Sequence, residues 1–120
     1  MNTQDVANRL VEMCRQGQNM EALAELYAEN CTSREMPGMP NEVTEGLPAI
    51  TKKSQDWYEN VAEFHSGNVS DPTVVGNHFT CTMQFDCTFK DRGRTQMEEV
   101  CVYEVADGKI ANEQFFYSMG

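Results

Sequence analysis

A single glutamate interrupts an alternating apolar series late in the sequence. Every second residue from Met97 to Val105 reads Met, Glu, Cys, Tyr and Val, so Glu99 falls on the face that otherwise looks dry. A carboxyl group in an apolar cavity keeps its proton more readily and can donate a hydrogen bond to a ligand oxygen. Gln114 is expected one step away on the next strand, as a neutral donor and acceptor that shares this task. The structural alternatives for Glu99 are an ion pair with a helix Lys or Arg, or a bulge that turns it outward.

The two histidines, His65 and His78, are candidates for a base that titrates near neutral pH. The alternation of its strand predicts that His78 points outward. His65 stands at the start of a strand whose orientation the pattern does not fix, so it is kept as a candidate pocket residue. No carboxylate or cysteine spacing typical of a metal site accompanies them, and no cofactor is indicated.

The elements that must position these residues follow from the hydrophobic period. Helical spacing predicts a first helix over Gln4–Gln16, capped by Thr3. It predicts a second helix that Asn19 caps and that carries Tyr27 on its apolar face, and a third over Leu47–Glu59 with a proline in its first turn. Three helices therefore belong to the first half of the chain.

Strands are expected between the second and third helices and throughout the second half. A short strand over residues 31–36 precedes a loop rich in Pro and Gly. From Phe64 the period becomes two, and on Phe79–Phe89 the apolar residues occupy the odd positions. The sequence thus predicts one α+β domain, residues 1–120, with three N-terminal helices packed on a curved antiparallel sheet.

The last hairpin allows its strand register to be predicted. Asp107-Gly108 is a preferred pair for a two-residue type I′ turn, which sets Val105 opposite Ile110. Regular pairing then gives a cavity-facing series and an outward apolar series, unless a bulge slips the register. The predicted cavity-facing pairs are Tyr103 with Asn112, Cys101 with Gln114 and Glu99 with Phe116, and the predicted outward residues are Val100, Val102, Phe115 and Tyr117.

The preceding hairpin gives an independent prediction of the interior side. A three-residue loop Asp91–Gly93 would pair Phe89 with Thr95, Phe85 with Glu99 and Met83 with Cys101, and the dry faces then coincide. Apolar residues on that face line any cavity, although core packing alone would also explain most of them. The residues predicted to contact a ligand are Trp57, His65, Met83, Phe85, Cys101, Tyr103, Gln114 and Phe116.

The order of elements resembles the cone-shaped nuclear-transport-factor-like superfamily, and short motifs resemble its SnoaL-like branch. These motifs are Asn19–Leu23 with Leu26–Ala28, Gly46–Ile50, and Tyr103–Ile110. The resemblance implies a cystatin-like cone with a small-ligand pocket. The superfamily contains isomerases, polyketide cyclases, dehydratases, epoxide hydrolases and non-catalytic binding modules, so the fold alone does not assign a reaction.

Glu35 becomes a candidate through the same resemblance. Residues 28–38 are similar to the ketosteroid isomerase segment that ends in its general-base aspartate, and Glu35 falls on that position. The resemblance implies a base that removes a proton next to a carbonyl group. The alternatives are an ion pair with the neighbouring Arg34 or exposure to water.

The resemblance to ketosteroid isomerase is incomplete. Its oxyanion-stabilising tyrosine should lie on the first helix, where this chain has Leu10 and Val11, and its second oxyanion acid falls near Glu99. Steroid isomerisation is therefore not expected. The sequence favours an acid–base enzyme of the isomerase, cyclase or dehydratase type acting on an apolar carbonyl compound, with Glu35 as base and Glu99 plus Gln114 as stabilisers. The alternatives are a non-catalytic dimeric binder of small ligands and a purely structural association domain.

The composition disfavours two classes of binding partner. A net charge of −10 with nine Lys and Arg disfavours nucleic acid and anionic membranes. The absence of a long apolar run or a leader predicts a cytoplasmic protein, and five cysteines without a CxxC pair predict free, mostly buried thiols. The outward apolar series on the last two strands predicts a two-fold homodimer through that face.

Overall fold

The computed structural model describes residues 1–118, and this range contains three helices and seven strands. All seven strands belong to one sheet, in the order β2-β1-β7-β6-β5-β3, with β4 paired to β5. In chain order the elements are α1 (Thr3–Arg15), α2 (Asn19–Leu26), β1 (Tyr27–Arg34), β2 (Val43–Glu45), α3 (Leu47–Glu59), β3 (Val61–Val69), β4 (Thr73–Val75), β5 (His78–Phe89), β6 (Gly93–Ala106) and β7 (Lys109–Tyr117).

The first two helices lie where the periodicity predicts them, but their ends differ. Asn2, not Thr3, caps α1: its side chain accepts a hydrogen bond from the Asp5 N–H at 2.8 Å, and the Asp5 carboxylate accepts one from the Asn2 N–H at 3.3 Å. Asn19 is the first residue of α2 and does not cap it. Tyr27 does not belong to α2 but opens β1, so its ring approaches the core from the sheet.

The third helix has the predicted bounds, Leu47–Glu59, with Pro48 in its first turn. Its place in the chain order is different, because β1 and β2 precede it, and the prediction of three consecutive N-terminal helices is wrong. Strand β1 is also longer than the strand predicted over residues 31–36. Its two adjacent exposed residues, Glu29 and Asn30, break the alternation that would have revealed it.

The sheet is mixed, not purely antiparallel. β1 pairs with β7 in the parallel direction, whereas β1–β2, β3–β5, β4–β5, β5–β6 and β6–β7 are antiparallel. Alternation in a sequence reveals which residues share a face of a strand, but it does not reveal the direction of the neighbouring strand. The antiparallel prediction therefore fails at this one ladder.

The last hairpin is as predicted at its turn and different beyond it. Asp107 and Gly108 have φ of 51° and 76°, as a type I′ turn requires, and Val105 pairs with Ile110. Ala111 is then left as an extra residue, and the resulting bulge shifts every later pair by one, which exchanges the two faces of β7. The observed pairs, which replace the predicted ones, are Tyr103–Glu113, Val102–Gln114, Cys101–Phe115, Val100–Phe116 and Glu99–Tyr117.

The preceding hairpin differs from the prediction by two residues. Phe89 pairs with Gly93, not with Thr95, so the loop consists of residues 90–92. A shift of two preserves the faces because side chains alternate with period two. The interior face of β5 and β6 is therefore as predicted, although the individual pairs Phe85–Glu99 and Met83–Cys101 are wrong; the observed pairs are Phe85–Met97, Met83–Glu99 and Cys81–Cys101.

The core lies between the helices and one face of the sheet. All five cysteines are free thiols; four are buried and Cys14 is half-buried, in agreement with the prediction. No helix within residues 1–118 is both long enough and apolar enough to cross a membrane. The buried residues that join helices to sheet include Val6, Leu10, Met13, Leu23, Leu26, Ile50, Phe79, Cys81, Met83, Cys101, Tyr103 and Ile110.

Candidate functional site

A cavity of ≈ 230 Å³, here called the inner chamber, lies between the helices and the sheet. All three helices and strands β1, β5, β6 and β7 contribute to its wall, so it depends on the whole fold rather than on one loop. Its polar lining includes Glu35, Lys53, Glu99 and Glu113. Its apolar lining includes Leu10, Met20, Leu23, Trp57, Met83, Phe85, Met97, Tyr103 and Phe115.

Glu35 directly follows β1, and its backbone is fixed on both sides. Its N–H donates to the Glu42 carbonyl at 2.8 Å, and its carbonyl accepts from the Gln114 amide at 3.3 Å. Its carboxylate accepts a hydrogen bond from the Tyr117 hydroxyl at 3.2 Å and lies 3.7 Å from the Lys53 ammonium. The side chain is 24% exposed. Glu35 is therefore held at the chamber wall by Lys53 and Tyr117.

Glu99 lies on the same wall and is the carboxyl group most altered by its surroundings in a direction useful for chemistry. Burial, and next the negative charge of Glu35, raise the pKa of Glu99 to about 7. The Cys101 thiol, which donates to Glu99 at 3.7 Å, and the positive charge of Lys53 oppose this rise. Near neutral pH a large fraction of Glu99 is thus protonated and can donate a hydrogen bond.

Glu113 is a third carboxyl group, which the sequence analysis did not identify. It is only 5% exposed and accepts a hydrogen bond from the Tyr27 hydroxyl. Burial raises its pKa, whereas hydrogen bonds from Ser33 and Tyr27 lower it. The bulge at Ala111 places Glu113 opposite Tyr103, where regular pairing would have placed Asn112 on the cavity side. No feature of the sequence marks that bulge.

Lys53 is the second polar residue that the sequence analysis missed. Its ammonium donates to the Ser33 hydroxyl at 2.9 Å, lies 3.7 Å from Glu35 and sits 5.9 Å above the centre of the Phe115 ring. It is the only cation in the lining formed by residues 1–118. Its position four residues before Trp57 is a signal in the sequence, because residues four apart share a helix face.

Four residues predicted to contact a ligand do line the inner chamber. They are Trp57, Met83, Phe85 and Tyr103. The Trp57 ring centre lies 5.9 Å from that of Phe85 and 5.5 Å from that of Phe89, in tilted and edge-on arrangements. Their contact with a ligand stays a prediction.

The structure places His65 and Cys101 outside the chamber lining. The His65 ring contacts the Thr88 hydroxyl at 2.7 Å and lies 3.8 Å from the Glu63 carboxylate. Cys101 is fully buried behind Glu99. His78 is exposed, in agreement with its predicted outward orientation.

Gln114 and Phe116 also lie outside the lining, because the bulge turns them to the other face of β7. The Gln114 amide donates to the Glu35 carbonyl, so it touches the backbone of a chamber residue rather than the chamber. Phe116 is 47% exposed. Phe115 and Tyr117, predicted to point outward, face Glu35, Lys53 and the chamber instead.

The arrangement suits proton transfer. It brings a fixed carboxylate, a carboxyl group that is protonated near neutral pH and an ammonium group to one apolar cavity. Within residues 1–118, no group of three or more His, Cys, Asp or Glu side chains is arranged to hold a metal ion.

The model of the SnoaL-like domain family matches residues 1–117. Among solved structures, a Mesorhizobium loti protein shares 38% sequence identity, with 98% of this chain and 100% of that chain covered and a TM-score of 0.93. Its provisional name is SnoaL-like polyketide cyclase, with carbohydrate phosphatase given in brackets.

More distant structures share the fold alone. A Xanthomonas campestris protein with a cystatin-like fold shares 18% identity, covers 98% of this chain and 92% of its own, and has a TM-score of 0.81. A Catenulispora acidiphila protein with a ketosteroid isomerase-like fold, solved with trimethylamine, shares 16% identity over 95% and 85%, with a TM-score of 0.74. No curated protein matches the sequence. The family match and the full-length similarity agree with the resemblance seen in the motifs, and the chain belongs to the SnoaL-like domain family.

Proposed function

We propose that the chain is a small-molecule acid–base enzyme of the isomerase, cyclase or dehydratase type, which acts on an apolar carbonyl compound. The observation that carries this proposal is the pairing of Glu35, a carboxylate beside Lys53, with Glu99, a carboxyl group whose pKa is about 7, in one apolar cavity. The raised pKa of Glu99 suits it to act as the acid, and the Glu35 carboxylate in the same cavity is placed to act as the base.

In this mechanism Glu35 removes a proton from the carbon next to the substrate carbonyl. The Glu99 carboxyl donates a hydrogen bond to the carbonyl oxygen as negative charge develops there. Glu35 then returns the proton to another carbon. Alternatively, the enolate carbon attacks a second carbonyl in the same molecule, the C=O π electrons move to its oxygen, and that oxygen takes up the proton from Glu35. Gln114, proposed from the sequence as a stabiliser, acts indirectly here because its amide fixes the Glu35 backbone.

A non-catalytic binding module is the second candidate. The observation in its favour is that both oxygens of the Glu35 carboxylate already have partners, Lys53 on one and Tyr117 on the other, which a substrate would have to displace. The trimethylamine bound to the distantly related C. acidiphila protein supports ligand binding by this fold. A phosphorylated substrate is disfavoured, because three carboxyl groups and one lysine would face the phosphate.

The proposed active species is a two-fold homodimer in the cytoplasm. Val100 and Phe116 lie directly opposite each other on β6 and β7 and are 42% and 47% exposed. Together with the half-buried Val102 they form an apolar patch on the sheet face that points away from the chamber. This patch replaces the predicted one, which included Phe115 and Tyr117.

Deuterium exchange tests the enzymatic function. 2-Tetralone, an apolar bicyclic ketone, is incubated in D₂O, and loss of its α-hydrogen signals is followed by NMR. We expect the wild type to accelerate exchange and Glu35→Gln to lose roughly a hundredfold or more of that rate. Glu29→Gln, an exposed glutamate of β1, is the matched control and should keep the wild-type rate. Equal rates for wild type and Glu35→Gln would favour the binding module.

A further inference from the structure

A second hollow of ≈ 400 Å³, here called the outer chamber, adjoins the inner one. The two share a wall that includes Trp57, Tyr58 and Phe85, and also Cys14 and Asn19. Trp57 therefore lies between the acid-bearing cavity and a second hollow. A molecule in the inner chamber that is longer than that chamber can extend only past this shared wall or into solvent.

The outer chamber has the wall chemistry of an apolar site. Val61, Phe64 and Val69 of β3 line it, and Asn68 and Arg15 stand beside them. The Arg15 guanidinium is bound to the Val69 carbonyl and the Asp71 carboxylate. Phe64 is 56% exposed although its ring centre lies 6.5 Å from that of Phe85. A large aromatic side chain left half in water beside a hollow is an apolar surface available to a ligand.

Gly67 keeps this compartment open. A Cβ at residue 67 would lie 2.7 Å from the Cζ atom of Phe64, closer than such atoms approach in real proteins. Gly67 is not in the left-handed region, so its backbone conformation does not require glycine. The close approach of the Phe64 ring is what requires glycine here, and any side chain at residue 67 displaces that ring.

The two chambers differ in the size of the ligand part that each can hold. Pockets for drug-sized ligands typically measure about 300 to 1,000 Å³. The inner chamber, at ≈ 230 Å³, falls below this range, whereas the outer chamber, at ≈ 400 Å³, lies within it. The acid groups are thus in the smaller compartment and the larger apolar volume is beyond Trp57.

We propose that the outer chamber is a second subsite for the same ligand, and that it holds the apolar distal part, an alkyl chain or a further ring, of a molecule whose carbonyl end lies at Glu35 and Glu99. This inference rests on the proposed function for the position of the carbonyl end. The ligand class is therefore an elongated, uncharged compound with one oxygenated end.

A homologous series of phenols tests the subsite. Phenol resembles an enol, and para-ethyl-, para-butyl- and para-hexylphenol add an apolar tail of increasing length. Binding is measured by calorimetry and by the fluorescence of Trp57, the only tryptophan. We expect affinity to rise roughly three- to fourfold per added methylene once the tail enters the outer chamber.

Variants of β3 locate the tail. Gly67→Val fills the outer chamber and displaces Phe64, so the gain with chain length should be lost while phenol itself binds as before. Ser66→Val, on the same strand but outside both chambers, should bind all four phenols like the wild type. Phe64→Ala removes one apolar wall and should also reduce the gain, which gives a second reading if Gly67→Val does not fold.

The outcomes separate this inference from the proposed function. Suppose that phenol binds more weakly to Glu99→Gln, and that chain length either does not change affinity or changes it equally in the wild type and in Gly67→Val. The subsite is then wrong and the proposed function stands. If the gain depends on residue 67 while Glu35→Gln and Glu99→Gln leave every affinity unchanged, the subsite stands and the placement of the carbonyl end is wrong. If none of the phenols binds, both are overturned.

Discussion

The polar residues of the inner chamber differ in what balances their charge. Glu35 lies beside Lys53, and the buried Glu113 accepts hydrogen bonds from Tyr27 and Ser33, whereas the hydrogen bond that Glu99 receives within residues 1–118 is the weak one from the Cys101 thiol. A buried carboxylate without a strong partner is costly, and taking up a proton relieves that cost. Glu99 is therefore a residue through which pH acts on the stability of this protein.

The free energy of unfolding should fall as pH rises from about 4.5 to about 7. The folded chain holds the Glu99 proton up to a pKa of about 7, whereas the ordinary value is 4.5, so the unfolded chain releases it first. The loss is on the order of 3 kcal/mol. The raised pKa of Glu113 acts in the same direction, while Lys53, by favouring the Glu99 carboxylate, reduces the effect. Urea unfolding at several pH values measures this change in the free energy of unfolding.

The matched variants for this prediction are neighbours in sequence. Glu99→Gln should flatten the pH dependence and be more stable than the wild type above pH 7, since it removes a buried group that ionises there. Glu98→Gln, on the exposed face of the same strand, should retain the wild-type pH dependence. A wild-type stability that does not fall across this window would show that Glu99 ionises with its ordinary pKa.

Among the elements, α1 offers a clean test of what positions a helix that lines the chamber. Asn2 and Asp5 form a reciprocal capping box, and Thr3, the predicted cap, makes no such bond. Asn2→Ala should lower the free energy of unfolding by about 1 kcal/mol, because the backbone N–H of Asp5 then loses its hydrogen-bond acceptor. Thr3→Ala is the control and should change it by a few tenths at most. The opposite ranking in urea unfolding would restore Thr3 as the cap.

Much of each element could be predicted from the sequence, and the failures have physical causes. The bounds of α3 and the turn at Asp107 were predictable because Pro48 and an Asp-Gly pair act locally. The face of Glu99 was predictable even though the β5–β6 loop was misplaced, because an error of two residues preserves the faces. The predicted register of β7 is wrong beyond Ala111, because one extra residue exchanges the two faces of the strand and no residue type marks such a bulge.

The site was predictable to the same extent as the faces. Glu99, Met83 and Tyr103 were identified from alternation and lie in the chamber lining. Glu113 was missed because its place depends on the bulge, and Lys53 was missed because a lysine on a helix usually points to water. The spacing to Trp57 places Lys53 on the helix face that lines the chamber, but its contacts with Ser33 and Glu35 are tertiary and are not encoded in local spacing.

At the scale of the whole molecule, the sheet separates two functions. One face closes the chamber under the helices, and the other carries the apolar patch of Val100, Val102 and Phe116. β7 contributes to both, so the bulge that turned Glu113 inward also turned Phe116 outward. The proposed ligand binding and the proposed subunit association therefore depend on one register, and a variant on the outer face can test association without touching the chamber.

Phe116→Lys should convert a homodimer into a monomer. A lysine in the centre of the apolar patch brings a charge into the subunit contact without a partner, which costs far more than the contact of one side chain gives. Sedimentation at micromolar concentration measures the change in mass. Val75→Lys is the matched control, since Val75 is 74% exposed but lies on β4, away from the patch, and should leave the dimer intact. A monomeric wild type, or a dimeric Phe116→Lys, would contradict association through this face. If Phe116→Lys is monomeric and its ligand affinity is unchanged, each chamber is complete within one chain.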